Sequence, residues 1–319
     1  MLRTFLIYLS KAMWAQNMVS NWRFAWKAAS RFVAGEEIND AINVVKVLNA
    51  RGIFATLDQL GENTSTLTEA QQSTQGIIDI LEQIDRNKVK ANVSIKLTQI
   101  GLALDEEICE RNLESILLKA RELRNYIRID MEDSPYTDKT IRLFRAMRSK
   151  GYLDVGLVVQ SCLYRTEKDI RELLGEGTHF RLVKGAYKEP AHIAYPKKAD
   201  VDSNFDNLTT LMINFAIEND PKEISQNGII PPVTALGTHD VKRINFATSY
   251  QTSKGLAKKA LEIQMLYGIR RDLQEKLANE GYPVRIYVPF GTHWYPYFVR
   301  RLAERPANIW FFLSNLFRK

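Results

Sequence analysis

Cysteine is scarce. Cys109 and Cys162 are the only two in 319 residues, and their spacing matches no disulfide framework, redox pair or metal knuckle. No oxidising compartment is needed. Histidine is nearly as rare: His179, His192, His239 and His293 form neither an HxH nor an HExxH pattern, so no metal site is expected. No apolar run approaches the ~20 residues that span a bilayer, and Phe5–Leu9 is too short for a signal-peptide core. No GxGxxG turn follows the first strand-like run, which counts against a doubly wound dinucleotide-binding sheet, the runner-up architecture. No basic run is interleaved with base-stacking aromatics on a recognisable module, so nucleic acid is not an expected partner.

Acids are missing from the N-terminus. Residues 1–35 carry Arg3, Lys11, Arg23, Lys27 and Arg31 against no Asp or Glu, a local charge of +5. Residues 284–319 also carry +5, six Lys/Arg against Glu304, so with a net charge of +7 the stretch between them is −3. The basic excess therefore sits at the two ends. An anionic membrane surface or simple solvation accounts for that, and peripheral membrane association is an expectation on the first account. The acid-free, Trp-bearing start has the composition of a transit peptide, but it also fits amphipathic helices. The helical reading is preferred because Arg31–Glu36 runs straight into patterned sequence. The expected location is the cytoplasm, with a peripheral position on the inner face of the cell membrane left open.

What is present is a soluble, globular composition, 45% hydrophobic and 25% charged. Residues 1–35 read as an N-terminal helical extension, with Trp22 and Trp26 four apart on one helix face. Residues 36–319 read as one catalytic domain. It opens with a helix over 36–51, where Ile38, Ala41, Ile42, Val45 and Leu48 fall at helical spacing. Eight short apolar runs then follow: Ile53–Leu57, Val93–Leu97, Tyr126–Ile129, Val155–Val159, Phe180–Val183, Val233–Leu236, Ile263–Leu266 and Val284–Val288. Helical segments lie between them, among them Glu107–Arg124, Asp138–Arg148 and Glu167–Leu174. Strand–helix alternation implies parallel strands, and eight such units in this length predict an α/β (β/α)8 TIM-type barrel. The fifth gap is long, so residues 186–231 are expected to hold an extra helix or a lid.

Barrel enzymes place their chemistry at the C-terminal ends of the strands. Those ends read Asp58, Lys96, Asp130-Met131, Gln160, Lys184 and Thr238-His239, with Tyr287 inside the eighth run. Arg181 lies within the fifth apolar run, where burying its charge costs several kcal/mol unless something anionic meets it. A single polar strand end is commonplace. Several converging on one rim make a pocket of mixed charge. On the final helix Tyr297, Arg300, Arg301 and Glu304 sit at i, i+3, i+4 and i+7, a polar stripe following a Gly291-containing loop. Folded across the barrel mouth, the adjacent arginines suit a carboxylate. From residue chemistry alone, two further readings stay open: a Schiff-base lyase using Lys96 or Lys184, and a membrane-surface binding protein using the basic, aromatic ends.

Five stretches carry a resemblance: Ser94–Thr98, Ile129–Glu132, Arg181–Tyr187, Thr238-His239 and Tyr297–Glu304. Together, in order, they resemble the proline dehydrogenases of the compact, monofunctional bacterial type, over about Arg31 to Phe312. The resemblance implies a barrel that holds FAD, with the last helix over its mouth. It also implies oxidation of L-proline to Δ1-pyrroline-5-carboxylate by hydride transfer to flavin N5, with a quinone as electron acceptor. Residue by residue, Lys96, Arg300 and Arg301 match the positions that hold the proline carboxylate. Asp130 matches the acidic strand-end residue that orients the site, and Arg181 the arginine beside flavin N5. Met131, Gln160, Lys184, Gly185, Ala186, Thr238 and His239 match flavin contacts. Tyr287 and Leu266 match the walls of the proline ring, where tyrosine favours proline over hydroxyproline. Glu304 matches an acidic neighbour able to pair with an arginine. The first 30 residues match only loosely. Trp310-Phe311-Phe312 is more aromatic than the family pattern and fits either a lipid surface or the barrel's outside.

Overall fold

Local signals start and stop the elements. The computed structural model describes residues 23–61, 64–187, 189–219 and 222–304. Helix α1 (Arg23–Ala29) leads to α2 (Ile38–Ala50), whose start is a capping box between Glu37 and Asp40. Strand β1 (Phe54–Gln59) is followed by α3 (Leu67–Asn87), where Thr66 accepts from the Glu69 N–H and Lys88 closes the far end in the left-handed region. Next come β2 (Ala91–Ile95), α4 (Glu106–Glu122) capped by Asp105, β3 (Ile127–Ile129) and α5 (Ser134–Ser149). Then follow β4 (Val155–Gln160), α6 (Thr166–Gly175), β5 (Phe180–Val183) and α7 (Lys198–Glu218). The chain continues through β6 (Thr234–Gly237), α8 (Val241–Ser253), β7 (Leu261–Leu266), α9 (Arg271–Asn279), β8 (Val284–Phe290) and α10 (Trp294–Glu304).

The eight strands are all parallel and close in sequence order, β8 pairing with β1 through Thr56↔Tyr287 and Asp58↔Pro289. The fold is the (β/α)8 barrel expected, and each apolar run falls on a strand. Alternate residues face opposite ways. Val93, Ile95, Ile127, Ile129, Leu157, Val159, Phe180, Leu182, Ile263 and Ile286 are all buried in one hydrophobic core with the helices. The residues between them point into the lumen and, Val158 on β4 apart, are polar or charged. Bonds between non-neighbouring strands prove it: Arg181 on β5 donates to Ser94 on β2, and Tyr287 on β8 to Asp130 after β3. At the lumen's lower end Arg285 forks onto Glu262 at 2.9 and 3.0 Å.

The fifth crossover departs from expectation. Among the described residues, 186–231 hold a single helix, α7, which is the ordinary crossover helix made long. No extra helix accompanies it. The segment before α7 is strapped to the β4–α6 loop: Tyr164 N–H donates to the Ile193 carbonyl and Tyr195 N–H to that of Cys162. Glu189 reaches across to cap α5, accepting from the Ser134 N–H at 2.8 Å and hydroxyl at 2.6 Å. The segment after α7 plugs the lower end of the barrel, where Gly228 and Ile229 carbonyls accept from Arg285 and Asn92.

A second, smaller hydrophobic cluster joins α1 to α10. It contains Ala25, Ala29, Phe32, Val33, Leu60, Trp294, Phe298 and Leu302. Trp26 stacks at a tilt on Trp294 with centroids 5.4 Å apart. The strap between α1 and α2 is stitched to β8 and the turn beyond it, Ala34 N–H to Pro289 and Gly291 N–H to the Gly35 carbonyl. Gly291 has φ +122°, which lets the chain turn from β8 into α10 across the C-terminal end of the barrel. The expectations for Trp22 and for Trp310–Phe312 lie outside the described residues. No helix among the described residues is long and apolar enough to cross a membrane.

Candidate active site

The C-terminal end of the barrel opens on a cavity of about 730 Å³, within the range of small-molecule sites. Every strand contributes to its wall or its floor. Lys96, Asp130, Met131, Gln160, Arg181, Lys184, Gly185, Ala186, Thr238, His239, Leu266, Tyr287, Tyr297, Arg300 and Arg301 all line it. Glu304 ends α10, and its side chain lies outside what the structure describes.

The floor is a hydrogen-bonded charge network centred on Asp130. Its Oδ1 accepts from the Ser94 hydroxyl at 2.8 Å and pairs with the Arg181 guanidinium. Oδ2 accepts from the Tyr287 hydroxyl at 2.9 Å and stands 3.6 Å from Lys96 Nζ. Burial alone would push the Asp130 carboxyl up; the charges of Arg181 and Lys96 and the bonds from Ser94 and Tyr287 outweigh it, holding the pKa below the usual carboxylate value. Burial, with the Asp130 and Asp58 carboxylates alongside, pushes the Tyr287 phenol well above its ordinary value. Tyr287 is therefore a fixed donor to Asp130. Arg181 also donates to Gln264 Oε1 at 3.1 Å, so three strands hold its fork.

Lys96 reaches three neighbours, Asp58 at 3.0 Å, Tyr287 at 3.2 Å and Asp130 at 3.6 Å. Lys184 Nζ lies 2.5 Å from Asp202 and 2.6 Å from Asp240. Both lysines donate to carboxylates, each held between two acids. Beside Lys184, at the end of the neighbouring strand β6, His239 Nε2 accepts from the Leu266 N–H at 2.9 Å. A neutral His239 ring must then carry its proton on Nδ1. Gln160 Nε2 donates to the Glu132 carbonyl, and the Glu132 carboxylate in turn holds Thr98 through both N–H and hydroxyl.

The wall between β5 and β6 is built close. Gly185 has φ +103°, and a Cβ there would stand 2.3 Å from Cys162 Sγ. A Cβ at Gly237 would meet Val183 Cγ1 at 2.8 Å. Across the mouth, α10 brings Tyr297 and Arg301 inward, the guanidinium 5.0 Å from the Tyr297 ring centroid.

Ser94, Gln264 and Gly237 line or brace this site without having been singled out, and Asp58 was noted only as a strand end. Their signal was parity. Ser94 lies two residues before Lys96 and Gln264 two before Leu266, so each shares its neighbour's inward face. Asp202 and Asp240 carried no such signal, since they reach the site from helix starts.

Comparison with known proteins agrees with this geometry. The family description "Proline dehydrogenase" matches residues 41–312. Proline dehydrogenase 2 of Bacillus subtilis (strain 168) is 37% identical over 317 residues, 99% of either chain. The proline dehydrogenase of Deinococcus radiodurans is 39% identical over 297 residues, covering 92% of this chain and 91% of that one. Among solved structures, proline utilization A from Bdellovibrio bacteriovorus, inactivated by N-propargylglycine, superposes with a TM-score of 0.77 at 25% identity. That match covers 88% of this chain and 33% of the other, so this chain spans about a third of that protein. Matched through the barrel and paired end to end with relatives of one name, the chain belongs to the proline dehydrogenase family.

Proposed function

We propose that the protein oxidises L-proline to Δ1-pyrroline-5-carboxylate with FAD as its cofactor and a quinone as the final electron acceptor. The carrying observation is the pairing, in one cavity, of a cationic lid with a close-built wall. The wall suits a flavin: packing against Cys162 and Val183 leaves no space for a Cβ at Gly185 or Gly237, so both line the cavity as bare backbone that a flat ring can approach. Gln160, Lys184, Thr238 and His239 supply polar groups on that side of the same cavity. Met131, Gln160, Arg181, Lys184, Gly185, Ala186, Thr238 and His239 would hold the cofactor. When bound, FAD supplies at N5 the two-electron acceptor for the hydride leaving C5 of proline.

The chain's own residues do the rest. Arg300 and Arg301, with Lys96, receive the substrate carboxylate, for which a guanidinium fork is the geometric match. Tyr287 and Leu266 bound the ring, and Tyr287, its hydroxyl committed to Asp130, occupies space that a smaller residue would open to a hydroxylated ring. Asp130 fixes Arg181 and Tyr287 at once and so orients the site. Arg181 keeps positive charge on the wall assigned to the cofactor. The amine leaves its proton in solvent before helix α10, seated by α1, excludes water; hydride loss from C5 then turns the C–N bond into the C=N of a protonated imine, whose proton is shed to solvent on release. The basic ends support a peripheral position at the membrane, where a quinone is met.

An absorbance spectrum of purified protein, taken before and after anaerobic addition of L-proline, tests this reading. A flavin band that bleaches on addition supports it. A colourless protein, or a band that L-proline leaves unchanged, overturns it.

A further inference from the structure

None of the roles above uses Asp58. It ends the inward row of β1, 1% exposed, and burying a carboxylate costs several kcal/mol unless a partner meets it. The partner is Lys96 Nζ, 3.0 Å from Oδ1. Lys96 has a second carboxylate within reach, Asp130 Oδ2 at 3.6 Å. The strand order β1-β2-β3 explains the arrangement: Lys96 follows the middle strand, and each flanking strand carries one acid. The nearer acid is the one on β1.

We infer that Asp58 is a positioning residue for the substrate carboxylate, holding Lys96 toward β1 and off Asp130. Asp130 is thereby left to Arg181, Ser94 and Tyr287. This rests on the functional reading above, in which Lys96 receives the carboxylate. Without Asp58, the ammonium closes the remaining gap to Asp130, competes there with Arg181 and the Tyr287 hydroxyl, and is withdrawn from the substrate.

A purely electrostatic role predicts the opposite sign. Neutralising Asp58 makes the cavity one unit more positive, and that alone tightens the binding of any carboxylate. The two roles therefore separate on one measurement.

The test compares Asp58→Asn, Lys96→Met and the double variant as flavin-loaded full-length proteins. Flavin content, KM and kcat with L-proline, and the Kd of cyclopentanecarboxylate by calorimetry are read for each. Positioning predicts that Asp58→Asn raises both KM and Kd about tenfold, as loss of one charged hydrogen bond does, with flavin content unchanged. In the Lys96→Met background the same change should alter Kd by less than about twofold, because an effect acting through Lys96 vanishes with it. Tighter or unchanged carboxylate binding in Asp58→Asn overturns the inference, as does a full-sized effect when Lys96 is already methionine. Should Asp58→Asn alone fail to fold, the double variant, which removes both charges together, decides against Lys96→Met: equal Kd values support the role and an about tenfold gap refutes it. Unsubstituted protein that is colourless and leaves L-proline untouched refutes the functional reading, and this inference with it. Active unsubstituted protein with additive variants refutes only the role of Asp58.

Discussion

Replacing Arg181 with methionine isolates the pair at the centre of the site. The guanidinium is 7% exposed and its partner Asp130 13%, so removal leaves a carboxylate away from water with only Ser94, Tyr287 and a more distant Lys96 to satisfy it. Breaking a pair this deep costs about 3–5 kcal/mol. For a 319-residue chain, whose unfolding entropy is of order 2 cal/mol/K per residue, that corresponds to a fall in Tm of about 5–8 °C. Adding Asp130→Asn removes the orphaned charge and keeps one oxygen, which can accept from the Ser94 hydroxyl on one side, while the amide NH2 donates to the Tyr287 oxygen on the other. Roughly half of the lost stability, about 1.5–2.5 kcal/mol, should then return, and the coupling is that recovery plus whatever Asp130→Asn costs alone. Thermal melts of the flavin-free forms, followed by circular dichroism, measure it. A double variant that melts as low as the two single effects added together would refute the argument that Arg181 holds Asp130 charged. Turnover should be lost in both single variants.

Arg301→Ala should raise KM for L-proline by about 10–150-fold, the worth of a 1.5–3 kcal/mol charged hydrogen bond, while flavin content holds; steady-state kinetics at saturating acceptor read this. Trp26→Ala acts at a distance: losing its stack on Trp294 loosens α10, and KM should rise about tenfold with the flavin spectrum unchanged, since the wall opposite is untouched. His179 sets an acid limit. Burial, against a bond from Nδ1–H to the Pro231 carbonyl, depresses its pKa to about 4. The fold keeps the ring neutral, so the unfolded chain binds the extra proton. This stability is present above pH 6.5 and lost as pH falls from 6.5 to 4, about 3 kcal/mol in all. Urea unfolding across that range should show the slope, and His179→Asn, which keeps a donor, should flatten it.

The strands were legible as short apolar runs spaced by helical segments. Arg181 inside Phe-Arg-Leu-Val looked costly for a buried strand, and the lumen is what makes it affordable in energy. Asp130 and Lys96 stood out at strand ends, and Tyr287 inside its run, for the same reason. Ser94 and Gln264 are ordinary polar residues until the register brings them within reach of Arg181. The 186–231 segment misled because its length was read as an added element. In fact it is distributed among a strap, one long helix and a plug beneath the barrel. Glu189 capping α5 joins residues 55 apart, and no local pattern announces such a contact. The seating of α10 by α1 is likewise a meeting of chain ends.

The lumen's polarity has an evolutionary corollary. The grease that seals this barrel lies between strands and helices, whereas its chemistry occupies the intervening rungs of the same strands. Cellular abundance and turnover should therefore respond to substitution as two interleaved combs, offset by one residue along β2, β3, β5 and β7. Selection for a new substrate has one comb to work with while the other keeps the protein standing.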